Sequence, residues 1–415
     1  MALNKIVVDN IKSFDHFDIS LGDFNVFIGG NASGKSNFIS ILKFFSNLNN
    51  CSYYDCLYIE GGIEFFRNLL FSQRNICSLK IESNTASKHI DPIINSTKDG
   101  FTFQGLDIFS KFYSIDIDYS FIDDISFKEY LKIYCSKSTF KPEEIELFFK
   151  NKSKEPTDYI TFSHINGILR VYSSFKERID SVLGKKKYPK SDYSIFNYPH
   201  FYIASLSRFD RFSFFDIDPR LSKKAIQITG KSKLDEDGSN LALVINRIIQ
   251  KSQDKERLIN ILSDILPFIH NVATSSLTDR SMLFFVKEHF LNIDHFPSSL
   301  ISDGTANLMA LIIALFFDTS DVTIIEEPER SIHPSLIKKL IEMMKDASRK
   351  KQIIITTHNP EIVKYAGIEN IYLITRNKKG ISSIEKPNDS KKIKEFLKND
   401  IGIDELYIDN ILELK

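Results

Sequence analysis

The segment Gly29-Gly30-Asn31-Ala32-Ser33-Gly34-Lys35-Ser36 constrains this chain more than any other, because it fits the pattern G-x-x-x-x-G-K-[ST] in full. An apolar run, Asn25-Val26-Phe27-Ile28, leads into it, and Phe38, Ile41, Leu42 and Phe45 follow at helical spacing. A strand, a glycine turn and a helix in that order set backbone N–H groups and a helix dipole around an anion. Lys35 offers a point charge to the β and γ oxygens of a triphosphate, and the Ser36 hydroxyl a ligand to Mg²⁺. An incidental glycine turn would lack the flanking strand and helix. The expected ligands are therefore ATP and Mg²⁺.

A second strand carries the acids such chemistry needs. Val322-Thr323-Ile324-Ile325 is wholly apolar apart from one threonine and runs into Glu326-Glu327-Pro328-Glu329. Metal-dependent hydrolysis of a nucleotide uses one carboxylate for the ion and another to orient or activate water. Glu326 is assigned to the metal and Glu327 to the water. Upstream, Ser302-Asp303-Gly304-Thr305 opens a helix, which is a helix cap or an anion site, and the residues alone leave both open. Downstream, Ile353-Ile354-Ile355-Thr356-Thr357 ends in His358. A histidine at a buried strand tip can hydrogen-bond a γ-phosphate or the attacking water. A lone histidine is more often structural, and only its position after the other motifs favours the chemical role.

Short apolar runs bounded by helices predict parallel strands buried on both faces, hence an α/β class. Residues 1–84 are expected to form the N-terminal lobe of a head and 201–415 its C-terminal lobe. Between them, 85–200 mixes strand-like pieces with helical ones at Pro142–Lys150 and Tyr172–Leu183, and is expected to be an α+β insertion. No sustained heptad is present, so no long coiled coil is expected. Residues 234–270 predict two helices, the first capped by Asp237-Gly238-Ser239-Asn240, and 302–317 another. The tail from Ile393 to Leu412 reads as helical closure of the head.

Charge excludes little: 54 lysine plus arginine residues balance 54 acids, so the whole chain gives no support to a nucleic-acid or membrane partner. The four cysteines are scattered without zinc or disulfide spacing. No signal-peptide core and no membrane-length apolar run occurs. A cytoplasmic location is expected.

The four elements stand in the order used by ABC-type ATPases, and their wording resembles the AAA-labelled RecF/OLD/SMC-like branch of bacteria. Asp9-Asn10-Ile11-Lys12-Ser13-Phe14 is similar to that branch's NFKSF opening, and the loop match extends to Asn37. Ser302–Thr305 sits where transporters carry LSGGQ. Glu326-Glu327-Pro328-Glu329-Arg330-Ser331-Ile332-His333-Pro334 resembles its EEPE…HP segment, and Thr357-His358-Asn359-Pro360 its histidine loop. The resemblance implies an ABC-type ATPase head, a P-loop NTPase with a mixed sheet and flanking helices. It implies nucleotide contacts by Lys12, Gly29, Gly30, Asn31, Ala32, Ser33, Gly34, Lys35, Ser36 and Asn37. It also implies head-to-tail dimers in which Ser302, Asp303, Gly304 and Thr305 of one copy meet the ATP of the other. Glu326 departs from the aspartate usual at the metal position. Gln73 lies about where a Q-loop glutamine falls.

Only 57 residues follow His358 (415 minus 358), fewer than a nuclease domain of roughly 100 residues needs. The resemblance further implies a sensor ATPase of a phage-defence system, similar to those of PARIS, Septu or AbiL type, working with a separately encoded nuclease or toxin. Two alternatives stand beside it: a RecF-like repair ATPase acting on DNA, and an ATP-locked scaffold with little turnover.

Overall fold

A computed structural model describes residues 2–70, 76–97, 100–118, 126–139, 158–165, 168–173, 211–231, 233–288 and 295–387. The chain divides into two compact units. The first comprises Met1–Gly22, Ser36–Phe209 and Arg376–Ser383, and the second Asp23–Lys35, Asp210–Thr375 and Ile384–Lys415.

The first unit is built on antiparallel strands. β1 (Ala2–Ile11) and β2 (Phe14–Ser20) form a hairpin in register from Lys5↔Ser20 to Ile11↔Phe14. Along β2, Phe14, Phe17 and Ile19 are buried while His16, Asp18 and Ser20 are exposed, the alternation of a sheet with one covered face. β4 (Ile76–Thr97), β5 (Gly100–Asp118), β6 (Ser126–Thr139), β7 (Asp158–Ile165) and β8 (Ile168–Ser173) extend the sheet in the order β8-β7-β6-β5-β4-β1-β2. Each neighbouring pair is antiparallel. Helix α1 (Lys35–Asn47) enters this unit at Ser36 and buries Phe38, Ile41, Leu42 and Phe45, the stripe its sequence spacing predicts. Two short helices follow, α2 (Tyr53–Ile59) and α3 (Ile63–Phe66).

The described part of the 85–200 insertion is all strand. Tyr172 and Ser173, expected to begin a helix, are instead the end of β8. The expected helix at 142–150, the remainder of the one to 183, Gln73 and the 393–412 tail lie outside the described residues.

The second unit contains a parallel sheet. β3 (Phe24–Ile28), β9 (Phe212–Phe215), β14 (Val322–Glu326), β15 (Gln352–Thr357) and β16 (Ile371–Arg376) pair in the order β16-β3-β15-β14-β9. All four pairings are parallel. Every residue of β3 and β15 is buried, as are Val322 to Ile325, which is what strands covered on both faces require. A smaller antiparallel sheet joins β10 (Ile226–Gln227), β11 (Ile269–Ser276), β12 (Ser281–Glu288) and β13 (Phe296–Pro297).

Its helices are α4 (Pro219–Ser222), α5 (Leu241–Ile249), α6 (Ser252–Ile265), α7 (Asp303–Phe316), α8 (Pro334–Ser348) and α9 (Pro360–Ala366). α7 is buried from Thr305 to Leu315 without a break, so it is covered on every side and passes through the core. α5 and α6 are the two helices expected in 234–270. Their cap differs from expectation. Asn240 makes no side-chain cap, because its amide instead accepts from the Asp235 N–H and donates to the Lys233 carbonyl, both at 2.8 Å. Asn240 thereby closes the turn before the helix rather than the helix itself.

Strand β14 ends at its first carboxylate and β15 one residue before His358. Parallel pairing runs Ile324↔Ile354, Ile325↔Ile355 and Glu326↔Thr356, while β15 pairs Thr357↔Ile28 on its other side. Three strand tips therefore deliver the glycine loop, the acids and the histidine at one end of the sheet, where ligands bind open α/β sheets.

Candidate functional site

The glycine loop is wound to hold an anion. Ala32 takes φ 61° and Gly34 φ 120°, left-handed positions that turn successive N–H groups inward. Gly29 has no room for a side chain, since a Cβ would stand 2.3 Å from the Ile374 carbonyl oxygen. The Lys35 ammonium folds back over the loop and donates to the carbonyls of Gly29 at 2.8 Å and Gly30 at 2.9 Å. Burial lowers the Lys35 pKa below the ordinary lysine value, against the pull of Glu327, Glu329 and Glu326. Ser36 follows as the second residue of α1 and is exposed.

The acids stand on a strained loop. Glu327 takes φ 43° and Ser331 φ 62°, an arrangement that costs on the order of 1 kcal/mol or more per residue and persists only where surroundings enforce it. Here the Glu327 N–H is held by the Thr356 carbonyl at 2.8 Å. Asn307 of α7 donates to the carbonyls of Pro328 at 3.1 Å and Arg330 at 2.6 Å. The Glu327 carboxylate is held at both oxygens: His358 Nδ1 lies 2.8 Å from Oε1, and Arg330 Nη2 lies 3.6 Å from Oε2.

Thr357, fully buried, ties three loops together. Its carbonyl accepts from the Gly29 N–H at 3.3 Å. Its hydroxyl donates to Glu329 Oε1 and accepts from the Asn359 N–H. Glu329 is 8% exposed and its other oxygen, Oε2, has no hydrogen-bond partner. Desolvation raises its pKa, only partly offset by the Thr357 hydroxyl. Glu329 and Thr357 were visible within the acidic and histidine segments, but nothing in the sequence marks them as partners.

Other expected residues are engaged elsewhere. Lys12 pairs with Glu60 at 3.1 Å, donates to the Glu60 carbonyl and lies 5.8 Å from the centre of the Phe66 ring. The Asn37 amide donates to the Ser13 hydroxyl at 2.8 Å. Ser302 is the N-cap of α7, accepting from the Thr305 N–H at 3.1 Å. Asp303 pairs with Lys223 at 2.5 Å. A Cβ on Gly304 would meet the Ser331 carbonyl oxygen at 2.5 Å, so this helix start is pressed against the acidic loop.

The donor set suits a magnesium nucleotide. Among the described residues no group of three or more His, Cys, Asp or Glu side chains could hold a metal alone. Mg²⁺ usually takes one or two protein ligands and completes its shell with phosphate oxygens and water. Within the second unit, the strand-tip carboxylate of Glu326 is a ligand of that kind. No described helix is long and apolar enough to cross a membrane.

A family model described as "AAA domain, putative AbiEii toxin, Type IV TA system" matches residues 24–364 of the 415. The chain belongs to this AAA family. The matched span of the AAA domain holds the glycine loop, the acids and His358. "Chromosome partition protein Smc" of Fusobacterium nucleatum subsp. nucleatum is 35% identical over 113 residues. That stretch is 26% of this chain and only 9% of the Smc protein.

Three solved structures are also similar, each at 12% identity. An Smc head bound to the C-winged helix domain of ScpA has a TM-score of 0.49, covering 93% of this chain and 98% of that one. The SMC head domain from Thermotoga maritima scores 0.43, covering 93% and 99%. An Smc head with an extended coiled coil bound to the C-terminal domain of ScpA, from Pyrococcus furiosus, scores 0.40, covering 95% and 99%. At these scores the likeness adds nothing to what the strand order and the family match establish.

Proposed function

We propose that the AAA domain binds Mg-ATP and hydrolyses it between two copies meeting head to tail, as the switch of a bacterial phage-defence system that controls a separately encoded nuclease or toxin. The observation that carries the reading is the convergence at Thr357, which ties the glycine loop to the acidic and histidine loops while His358 pairs with Glu327 at 2.8 Å.

In this reading Lys35 exchanges the carbonyls of Gly29 and Gly30 for phosphate oxygens. Backbone N–H groups of Gly30 through Ser36 wrap the β-phosphate, with Asn37 at the start of the helix. Mg²⁺, when bound, supplies charge neutralisation at the β and γ oxygens, with Ser36 and Glu326 as the residues that would hold it. Glu327 accepts a proton from the attacking water as the water oxygen joins the γ-phosphorus and ADP leaves. His358 turns from Glu327 toward the γ-phosphate or the water. Ser302, Asp303, Gly304 and Thr305 of the second copy close the site by an α-helix N-terminus. The γ-phosphate then holds two heads together, and its loss releases them. Lys12, paired with Glu60, would need to exchange that partner to reach a phosphate.

The effector half of the proposal rests on the resemblance to defence-system ATPases; the family's description names a putative toxin of a type IV toxin–antitoxin system. The work would be done in the cytoplasm. Glu327→Gln tests the ATPase half: with Mg-ATP it is expected to lose turnover and to accumulate as a dimer by light scattering. Turnover at the parent's rate would remove Glu327 from the chemistry. Co-expression with the neighbouring gene tests the other half; neither a complex nor phage protection would end the sensor role. Hydrolysis stimulated by DNA and weakened by salt would bring the RecF-like reading forward.

A further inference from the structure

Arg330 lies in the acidic segment but belongs to none of the roles above. Its guanidinium is anchored twice in the second unit. Nη1 donates to the Ile217 carbonyl at 3.1 Å, and Nη2 pairs with Asp216 Oδ1 at 2.8 Å. Held so, the same Nη2 stands 3.6 Å from Glu327 Oε2, opposite His358 at Oε1. The backbone repeats the link, since the Arg330 N–H donates to the Glu327 carbonyl at 3.0 Å. Asn307 fixes the far side through the Arg330 carbonyl. Glu327 sits in a left-handed conformation, and its side chain is 30% exposed, so burial alone does not fix its direction.

We propose that Arg330 is a positioning residue: a brace anchored on Asp216 and the Ile217 carbonyl that holds the Glu327 carboxylate in its working direction. The planar fork matters, because one edge takes the carbonyl while a nitrogen serves both carboxylates; a lysine carries the charge without that geometry. The brace contributes little to stability, since Arg330 and Asp216 are 37% and 46% exposed and such pairs are weak. The inference rests on Glu327 acting on the water.

The test is steady-state ATP hydrolysis by the full chain as parent, Glu327→Gln, Arg330→Met, Arg330→Lys, Asp216→Asn and the Asp216→Asn/Arg330→Met double variant. Binding of a fluorescent ATP analogue and melting temperature are measured beside it. Arg330→Met is expected to lower kcat about tenfold or more, as a misdirected catalytic group does, with KM and analogue affinity changed less than about threefold. Arg330→Lys should fall nearly as far. Asp216→Asn should fall less, and the double variant no further than Arg330→Met. An Arg330→Met kcat within about twofold of the parent overturns the brace, as does a parallel loss of analogue binding and melting temperature. Should Arg330→Met fail to fold, Arg330→Lys and Asp216→Asn decide by the same criteria. A parent without turnover, or an active Glu327→Gln, refutes the underlying reading instead; an inactive Glu327→Gln with an active Arg330→Met refutes the brace alone.

Discussion

Glu329 shows how one residue can be conspicuous in a sequence and opaque in role. It stands three positions after Glu326 in a run of acids, yet it is 8% exposed and shares its carboxyl with the Thr357 hydroxyl. Burial raises its pKa. A carboxyl raised in the folded state leaves stability intact below the unfolded value and erodes it as pH rises through the folded value. Glu329→Gln removes that dependence. Urea melts at pH 4.5 and pH 8 should show the variant gaining on the parent at the higher pH; a difference that is constant with pH would mean the carboxyl is ionised in the fold. The placing of Glu327, Lys35 and His358 at strand tips or the loop beyond them was legible because each follows a marked apolar run. Thr357 as a hub, and Asp216 as the anchor of Arg330, were not, because a contact across 114 positions (330 minus 216) leaves no local pattern.

At the scale of elements, the parallel strands were readable from Val322-Thr323-Ile324-Ile325 and Ile353-Ile354-Ile355, since short β-branched apolar runs of this kind fit strands covered on both faces. The contact of α7 with the acidic loop was not readable. It depends on Gly304, whose missing side chain admits the Ser331 carbonyl oxygen to 2.5 Å of a Cβ position. Gly304→Ala should force this helix start off the loop, lowering the melting temperature and the rate of hydrolysis together; an unchanged melting temperature would show that the helix shifts freely. Lys351 marks the other end of α7. Its ammonium donates to the Ala314 carbonyl at 2.7 Å and pairs with Asp318, the two side chains being 7% and 5% exposed. Lys351→Met leaves the Asp318 charge buried without it, so it should cost about 3 kcal/mol in chemical denaturation, and Lys351→Met/Asp318→Asn distinctly less. Burial depresses the Lys351 pKa to about 8, despite Asp318. A depressed lysine takes up protons more readily when unfolded, so its contribution grows as pH rises from about 8 toward 10.5 and falls away on the acid side.

For the whole molecule, nucleotide binding should appear as stability. A ligand that binds only the folded state adds about 2.7 kcal/mol at a hundred times its dissociation constant. Mg-ATP should therefore raise the melting temperature of the parent and leave Lys35→Ala unmoved; equal shifts in both would put the nucleotide somewhere other than the glycine loop. The α/β class and the order of motifs were legible because both follow from short-range pattern. The run of antiparallel strands from β4 to β8 was only half legible, since Phe101-Thr102-Phe103 reads as strand while Tyr172-Ser173 carries no turn signal against the helix expected there.

The structure of the Glu327→Gln protein with Mg-ATP tests the central claim most directly. The account predicts one triphosphate on Gly30–Ser36, with Lys35 at its β and γ oxygens and Glu326 on the magnesium side. The substituted amide at position 327 and the His358 ring should both face the γ-phosphate. A nucleotide bound elsewhere, or a γ-phosphate out of reach of both the β14 and β15 tips, would contradict it.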